Sequence, residues 1–219
     1  MQFPNAHKGV SQIFTAEILT LISGILMFIA MVSVGIAAGV SEVEGAETAV
    51  GGFALGAGGF GLVAGVLAII AFVLTILGIT KASKDEPTFR NALLWLILGI
   101  VGGVVQNGVQ SNDFVHLIGS ILSSLGSMLS TYFVILGIIK LADRKHDAAV
   151  SAKGSRLIKI ILAVYILALI LTVIEGFAGG TDGGVVAGGV LGIIALILMI
   201  VAYILYLSLL SKAKKMLAN

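Results

Sequence analysis

Residues 56–65 read GAGGFGLVAG, a stretch that contains the spacing G-x-G-x-x-G and poses a choice between a dinucleotide-binding loop and a membrane helix. A dinucleotide loop needs a strand before it, a helix opening at it and an aqueous crevice for pyrophosphate. None of these is available. The stretch follows the acidic turn from Ser41 to Thr48 and runs straight into the apolar segment from Leu67 to Ile79. In lipid, glycine instead lets two helix backbones approach closely, where no hydrophobic force draws helices together. The stretch therefore predicts the outer half of a spanning helix.

The rest of the chain agrees. Hydrophobic residues make up 58% and charged residues 11% of 219, against about 25% charge in soluble domains, and mean hydropathy is +1.15. Runs of 18 or more apolar residues are long enough to cross a bilayer. Spanning helices are accordingly placed at about 12–40, 50–80, 90–106, 114–142, 157–176 and 185–211. The fold class expected is an all-α polytopic membrane protein with six transmembrane helices. The third is the shortest, since its purely apolar part, Ala92 to Val105, falls short of a core about 30 Å thick. The first run extends well past a signal peptide's apolar core and lacks a convincing cleavage site, so it is expected to be retained.

Six spans place the amino terminus, the segments 81–90 and 143–156 and the carboxyl terminus on one side. All thirteen Lys and Arg residues fall there or at the adjoining helix ends, from Lys8 to Lys215. The opposite turns carry Glu42, Glu44, Glu47, Asp113, Glu175 and Asp182 and no base. Because short basic segments stay cytoplasmic, both termini are expected in the cytoplasm of a cell-membrane protein. A Lys closes each outward-to-inward helix, at Lys81, Lys140 and Lys212, where a cation meets the negative end of the helix dipole. That pattern suggests three tandem hairpins, at about 12–83, 90–142 and 155–216, within one transmembrane domain covering 1–219. Mitochondrial carriers also have three hairpins, but each bears a Pro-x-acid-x-x-base motif, and the only prolines here are Pro4 and Pro87.

Glycines four apart mark the candidate packing faces: Gly35 and Gly39, Gly52 and Gly56, Gly61 and Gly65, Gly99 and Gly103, and Gly184, Gly188 and Gly192. The fourth helix carries a polar face instead, made of His116, Ser120, Ser123, Ser124, Ser127, Ser130 and Thr131 and joined by Gly119 and Gly126. Two roles fit it. The hydroxyls can bond back to carbonyls one turn earlier while the small side chains admit a neighbouring helix. Alternatively the face lines a path for a small neutral solute, with His116 at its outer mouth.

Other chemistry is poorly served. No ionisable side chain is expected at a bilayer midplane, as coupled pumps usually require. The chain has no cysteine, no H-E-x-x-H and no third group to orient His116 and Ser120, so neither an enzyme nor a bound cofactor or metal is expected. The segment around Lys140, Arg144, Lys145, Lys153, Arg156 and Lys159 is expected to contact anionic lipid headgroups. The partners expected are membrane lipids and either further copies or another membrane protein, with no nucleic acid. Function is expected to be structural, scaffolding or accessory, with a passive channel as the alternative.

Overall fold

The computed structural model describes residues 2–40, 47–108, 113–178 and 182–218, with side-chain surroundings for all of these except 39–40, 47–51, 53–54, 113–114, 117, 168–178 and 182–193. Among the described residues every regular element is a helix, and there are six: α1 (Pro4–Val40), α2 (Glu47–Ala82), α3 (Thr88–Gly108), α4 (Asp113–Arg144), α5 (Ala148–Ala178) and α6 (Asp182–Ala218). Five of them, α1, α2, α3, α4 and α6, are long and apolar enough to cross a membrane. The expected span at 157–176 lies on α5, whose side chains are described only as far as residue 167. The chain is a polytopic helical membrane protein.

The helices run beyond the apolar stretches at the basic ends. Hydrophobicity marks the lipid, whereas a helix continues for as long as it has something to bury. Leu141 and Ala142 at the end of α4, Val150 at the start of α5 and Ala213 and Leu217 at the end of α6 are all buried. Helix α3 extends past its apolar part at both ends, to 21 residues, about 30 Å at 1.5 Å per residue, so it matches the bilayer core.

Two compact units divide the chain. The first comprises residues 12–78, the body of α1 and of α2. Its seam is built from small residues seven apart: Ala16, Ser23 and Ala30 on α1, and Ala57, Ala64 and Ala71 on α2, are all buried. The Ser23 hydroxyl donates to the Ala64 carbonyl at 2.8 Å. Moving seven residues along both antiparallel helices from that bond pairs Ala16 with Ala71 and Ala30 with Ala57. A strict seven-residue repeat keeps one face of each helix on the other, and a small residue, Ala or Ser, at every step brings the backbones close enough for the cross-helix bond.

The second unit comprises residues 1–11 and 79–219. In it α4 packs on α3 and on α5, and α5 packs on α6. Its tightest core lies at the basic end, where Phe89, Ile135, Ile138, Leu141, Leu157, Leu209 and Leu210 are fully buried. The Phe89 ring lies over Gly137, where an added Cβ would meet it at 2.6 Å. Helix α4 stops in a Schellman turn: Asp147 N–H donates to the Ala142 carbonyl at 2.9 Å, His146 N–H to Asp143 at 3.1 Å, and His146 takes a φ of 57°. Asp147 then caps α5 by accepting from Val150 N–H at 3.0 Å.

The amino terminus of α1 is held by the turn between α2 and α3. Pro4 opens the helix, a first-turn position that needs no N–H. The Asp85 carboxylate accepts from Ala6 N–H at 2.7 Å and from Asn5 Nδ2 at 2.9 Å. An acid from elsewhere in the chain thus caps α1 and meets the positive end of its dipole. Asp85→Ala is expected to cost about 1 kcal/mol, seen as faster amide hydrogen exchange over residues 4–8 with the rest of the unit unchanged. Equal protection in the variant would remove the cap from the account.

Candidate functional site

The polar face of α4 is divided by its contact with α3. At 100° per residue, Gly119, Ser123, Gly126 and Ser130 form one half and His116, Ser120, Ser124, Ser127 and Thr131 the other. The first half is against α3. A Cβ on Gly119 would lie 2.6 Å from Gln106 N, one on Gly126 2.8 Å from the Trp95 carbonyl, and one on Gly102 2.5 Å from Ser123 N. Ser130 is buried. These are backbone contacts, which only glycine permits.

The second half faces outward. His116, Ser124 and Ser127 are exposed, and Ser120 and Thr131 are half-buried. The Thr131 hydroxyl donates to the Ser127 carbonyl at 3.1 Å, one turn back on its own helix. Asn107, on the last turn of α3, does the same toward the Gly103 carbonyl at 2.8 Å.

The candidate packing glycines fall into distinct surroundings. Gly99 would meet the Gly126 and Ser127 backbone at 3.3 Å and Gly103 only the Ser123 hydroxyl at 3.7 Å. The tightest glycines of this interface, Gly102, Gly119 and Gly126, are not the four-apart pair on α3. An added Cβ on Gly35, Gly52, Gly56, Gly61 or Gly65 would meet nothing within 4 Å among the described residues, since the seam of that unit runs through the alanines. Gly39, Gly184, Gly188 and Gly192 lie outside the residues whose surroundings are described.

At the basic end the candidate lipid-contacting residues separate into two groups. Lys140 and Arg144 serve Glu86, which is only 2% exposed. Arg144 Nη2 lies 2.6 Å from Glu86 Oε2 and Lys140 Nζ 3.9 Å from Oε1. The guanidinium contact is an ion pair without an aligned hydrogen bond. Oε1 also accepts the Thr88 hydroxyl at 2.5 Å and Thr88 N–H at 3.2 Å. Lys140 donates to Thr88 Oγ1 at 2.9 Å and Arg144 to the Asp85 carbonyl at 3.2 Å. Together these tie the α2–α3 turn to the end of α4. Lys145 is also engaged, donating to the Met216 carbonyl on the last turn of α6 at 2.9 Å.

Lys153 and Arg156 stand apart from this network. With Lys212 of α6 they line a groove of about 420 Å³ between α5 and α6, whose other walls include Leu157, Ile160 and Leu205. Lys153 donates to the Ser208 hydroxyl across the groove. Burial first, and the neighbouring Lys212 charge second, hold the Lys153 ammonium below the ordinary lysine pKa. Lys159 is exposed and lines no part of the groove.

Glu86, Thr88, Asp85 and Ser208 are not among the residues singled out from sequence, and Lys212 stands there only as the cation that closes its helix. The available signal was four acids, Asp85, Glu86, Asp143 and Asp147, inside segments otherwise read as basic. An acid amid cations at a helix end has partners close by. Comparison with family models, with curated proteins and with solved structures finds no match to this chain.

Proposed function

We propose that the chain is a non-enzymatic structural or scaffolding subunit of the cell membrane that assembles with further copies of itself through glycine-bearing helix faces, its termini in the cytoplasm. The observation that carries this reading is the open space at Gly52, Gly56, Gly61 and Gly65 on α2. Glycine inside a helix costs up to about 1 kcal/mol relative to alanine. Within its own unit α2 recovers nothing for that cost, because its seam uses Ala57, Ala64 and Ala71. A second backbone seated on the glycines would recover it through close dispersion contacts. The orientation rests on the thirteen basic residues, which occupy the ends that short cytoplasmic segments would join.

Native mass spectrometry of the lipid-retaining protein tests the assembly. A defined oligomer is expected, and Gly61→Leu combined with Gly65→Leu should shift it to monomer while leaving helicity and unfolding temperature in place. A monomeric wild-type protein would sink the proposal.

The outward half of the α4 polar face supports a second reading, a passive path for a small neutral solute formed between copies. His116, Ser124 and Ser127 are exposed on a helix able to span, and hydroxyls without charge suit such a solute. Solute flux into proteoliposomes that disappears in Ser124→Leu and Ser127→Leu would favour this path over pure assembly.

A further inference from the structure

The two hairpins of the larger unit end differently. Where α3 begins and α4 ends, the cations Lys140 and Arg144 find a buried acid in Glu86. Where α5 begins and α6 ends, Lys153, Arg156 and Lys212 line one groove. Among the described residues none of these three is ion-paired with a carboxylate, and the one protein partner found is the neutral Ser208, for Lys153. Three cations facing one cavity repel one another, and no carboxylate among the described residues neutralises them.

The groove is also graded along its length. Lys153, Arg156 and Ile160 follow one another at three and four residues on α5, and Leu205, Ser208 and Lys212 do the same on α6. Because the helices are antiparallel and joined by the Lys153–Ser208 bond, the sequence order fixes which groups face each other. Lys153 and Lys212 lie toward the polar end, and Ile160 and Leu205 toward the apolar body of the helices. Arg156 stands between, a turn deeper than Lys153. Its volume of about 420 Å³ is at the low end of small-molecule sites, roughly 300–1,000 Å³. That holds a headgroup but not acyl chains.

We propose that this groove binds the phosphate of an anionic lipid, with Arg156 and Lys212 gripping the phosphate oxygens and Leu157, Ile160 and Leu205 covering the start of the lipid's apolar part. Arg presents a planar fork suited to two phosphate oxygens, and Lys a compact point charge. Free phosphate would satisfy the cations but leave the apolar wall unused, which is why the lipid is the ligand assigned. Binding would also favour the charged form of Lys153, whose pKa burial and then the Lys212 charge hold below the ordinary lysine value. The inference does not depend on the assembly reading; it needs only the membrane placement of the helices.

The test is a lipid titration of the full-length protein in detergent, read by native mass spectrometry with phosphatidylglycerol and with phosphatidylcholine. Phosphatidylglycerol is expected to be retained in preference, one molecule per protomer. Arg156→Gln and Lys212→Gln should each weaken its retention about fivefold, and the pair about 25-fold, from the usual contribution of one interfacial cation. Lys159→Gln, which removes a nearby charge outside the groove, should change it less than twofold. Lys212→Arg should retain binding, and unfolding temperatures without lipid should match the wild type, so that loss of the site is separated from loss of the fold. Equal retention of both lipids would overturn the proposal, as would equal weakening by Lys159→Gln. Inorganic phosphate that displaces phosphatidylglycerol at equal concentration would also overturn it, since the apolar wall would then add nothing.

Discussion

Gly126→Ala is expected to destabilise the α3–α4 pair by about 3 kcal/mol, the upper part of the range for overpacking, because the new methyl has no side chain to push aside. Its nearest neighbours are the Gly99 backbone and the Trp95 carbonyl, the latter at 2.8 Å, so the helices themselves must part. Gly102→Ala should behave alike, since its methyl would lie 2.5 Å from Ser123 N and 2.8 Å from the Gly119 carbonyl. Gly99→Ala, whose closest neighbours stand at 3.3 Å, should cost less, about 1 kcal/mol. Gly61→Ala and Gly65→Ala meet nothing within 4 Å; they should be neutral for the protomer, or stabilise it by up to about 1 kcal/mol through helix propensity.

The chain carries its own reporter for this series. Trp95 is the only tryptophan, and its carbonyl abuts Gly126. Separation of α3 from α4 should alter its fluorescence in Gly126→Ala and Gly102→Ala but not in Gly61→Ala. A flat ranking across all five glycines would mean that the α3–α4 approach is looser than the backbone distances state.

The series also shows what was legible in the sequence. Long uncharged runs and the one-sided distribution of Lys and Arg give the polytopic helical class directly, because hydropathy and length alone decide whether a helix can cross lipid. Which small residues meet which helix is a different matter. Glycines four apart are conspicuous in this chain, yet the α1–α2 seam runs on alanines seven apart, and alanine in a chain this apolar gives no contrast to read. The tight contact of α3 with α4 uses Gly102 and Gly126, whose partners stand on different helices and so share no local spacing.

The candidate site divides in the same way. Arg156 and Lys153 stand out as part of a basic segment, but Lys212 and Leu205 join them only through the antiparallel pairing of α5 with α6, a long-range fact. Conversely, Lys140 and Arg144 look identical to their neighbours in sequence. Their charge is committed to Glu86, and an acid in a short loop ordinarily reads as solvated.

Arg144→Ala should be the most damaging single change at the basic end, and its cost should exceed that of removing the acid it serves. The asymmetry follows from burial. Glu86 is 2% exposed, whereas the side chains of Arg144 and Lys140 are 45% and 51% exposed. Removing Arg144 strands a carboxylate in a site that water barely reaches, leaving it Lys140 at 3.9 Å and the Thr88 groups. Breaking a buried pair in this way costs about 3–5 kcal/mol; the half-exposed guanidinium points to the lower end, about 3 kcal/mol. Glu86→Gln instead leaves two cations that can turn to solvent, and its side-chain carbonyl can still accept from Thr88. It should cost about 1–2 kcal/mol.

The double variant, Arg144→Ala with Glu86→Gln, decides between charge and shape. If the stranded charge is what destabilises, the second change should recover most of the loss, bringing the protein within about 1–2 kcal/mol of wild type. Reversible unfolding in mixed detergent micelles, followed by circular dichroism, reads all three variants on one scale. Additive losses in the double variant would instead mean that Arg144 contributes through its contact with the Asp85 carbonyl and the packing of its stem. The link between the α2–α3 turn and α4 would then be a matter of shape, with the ion pair incidental to it.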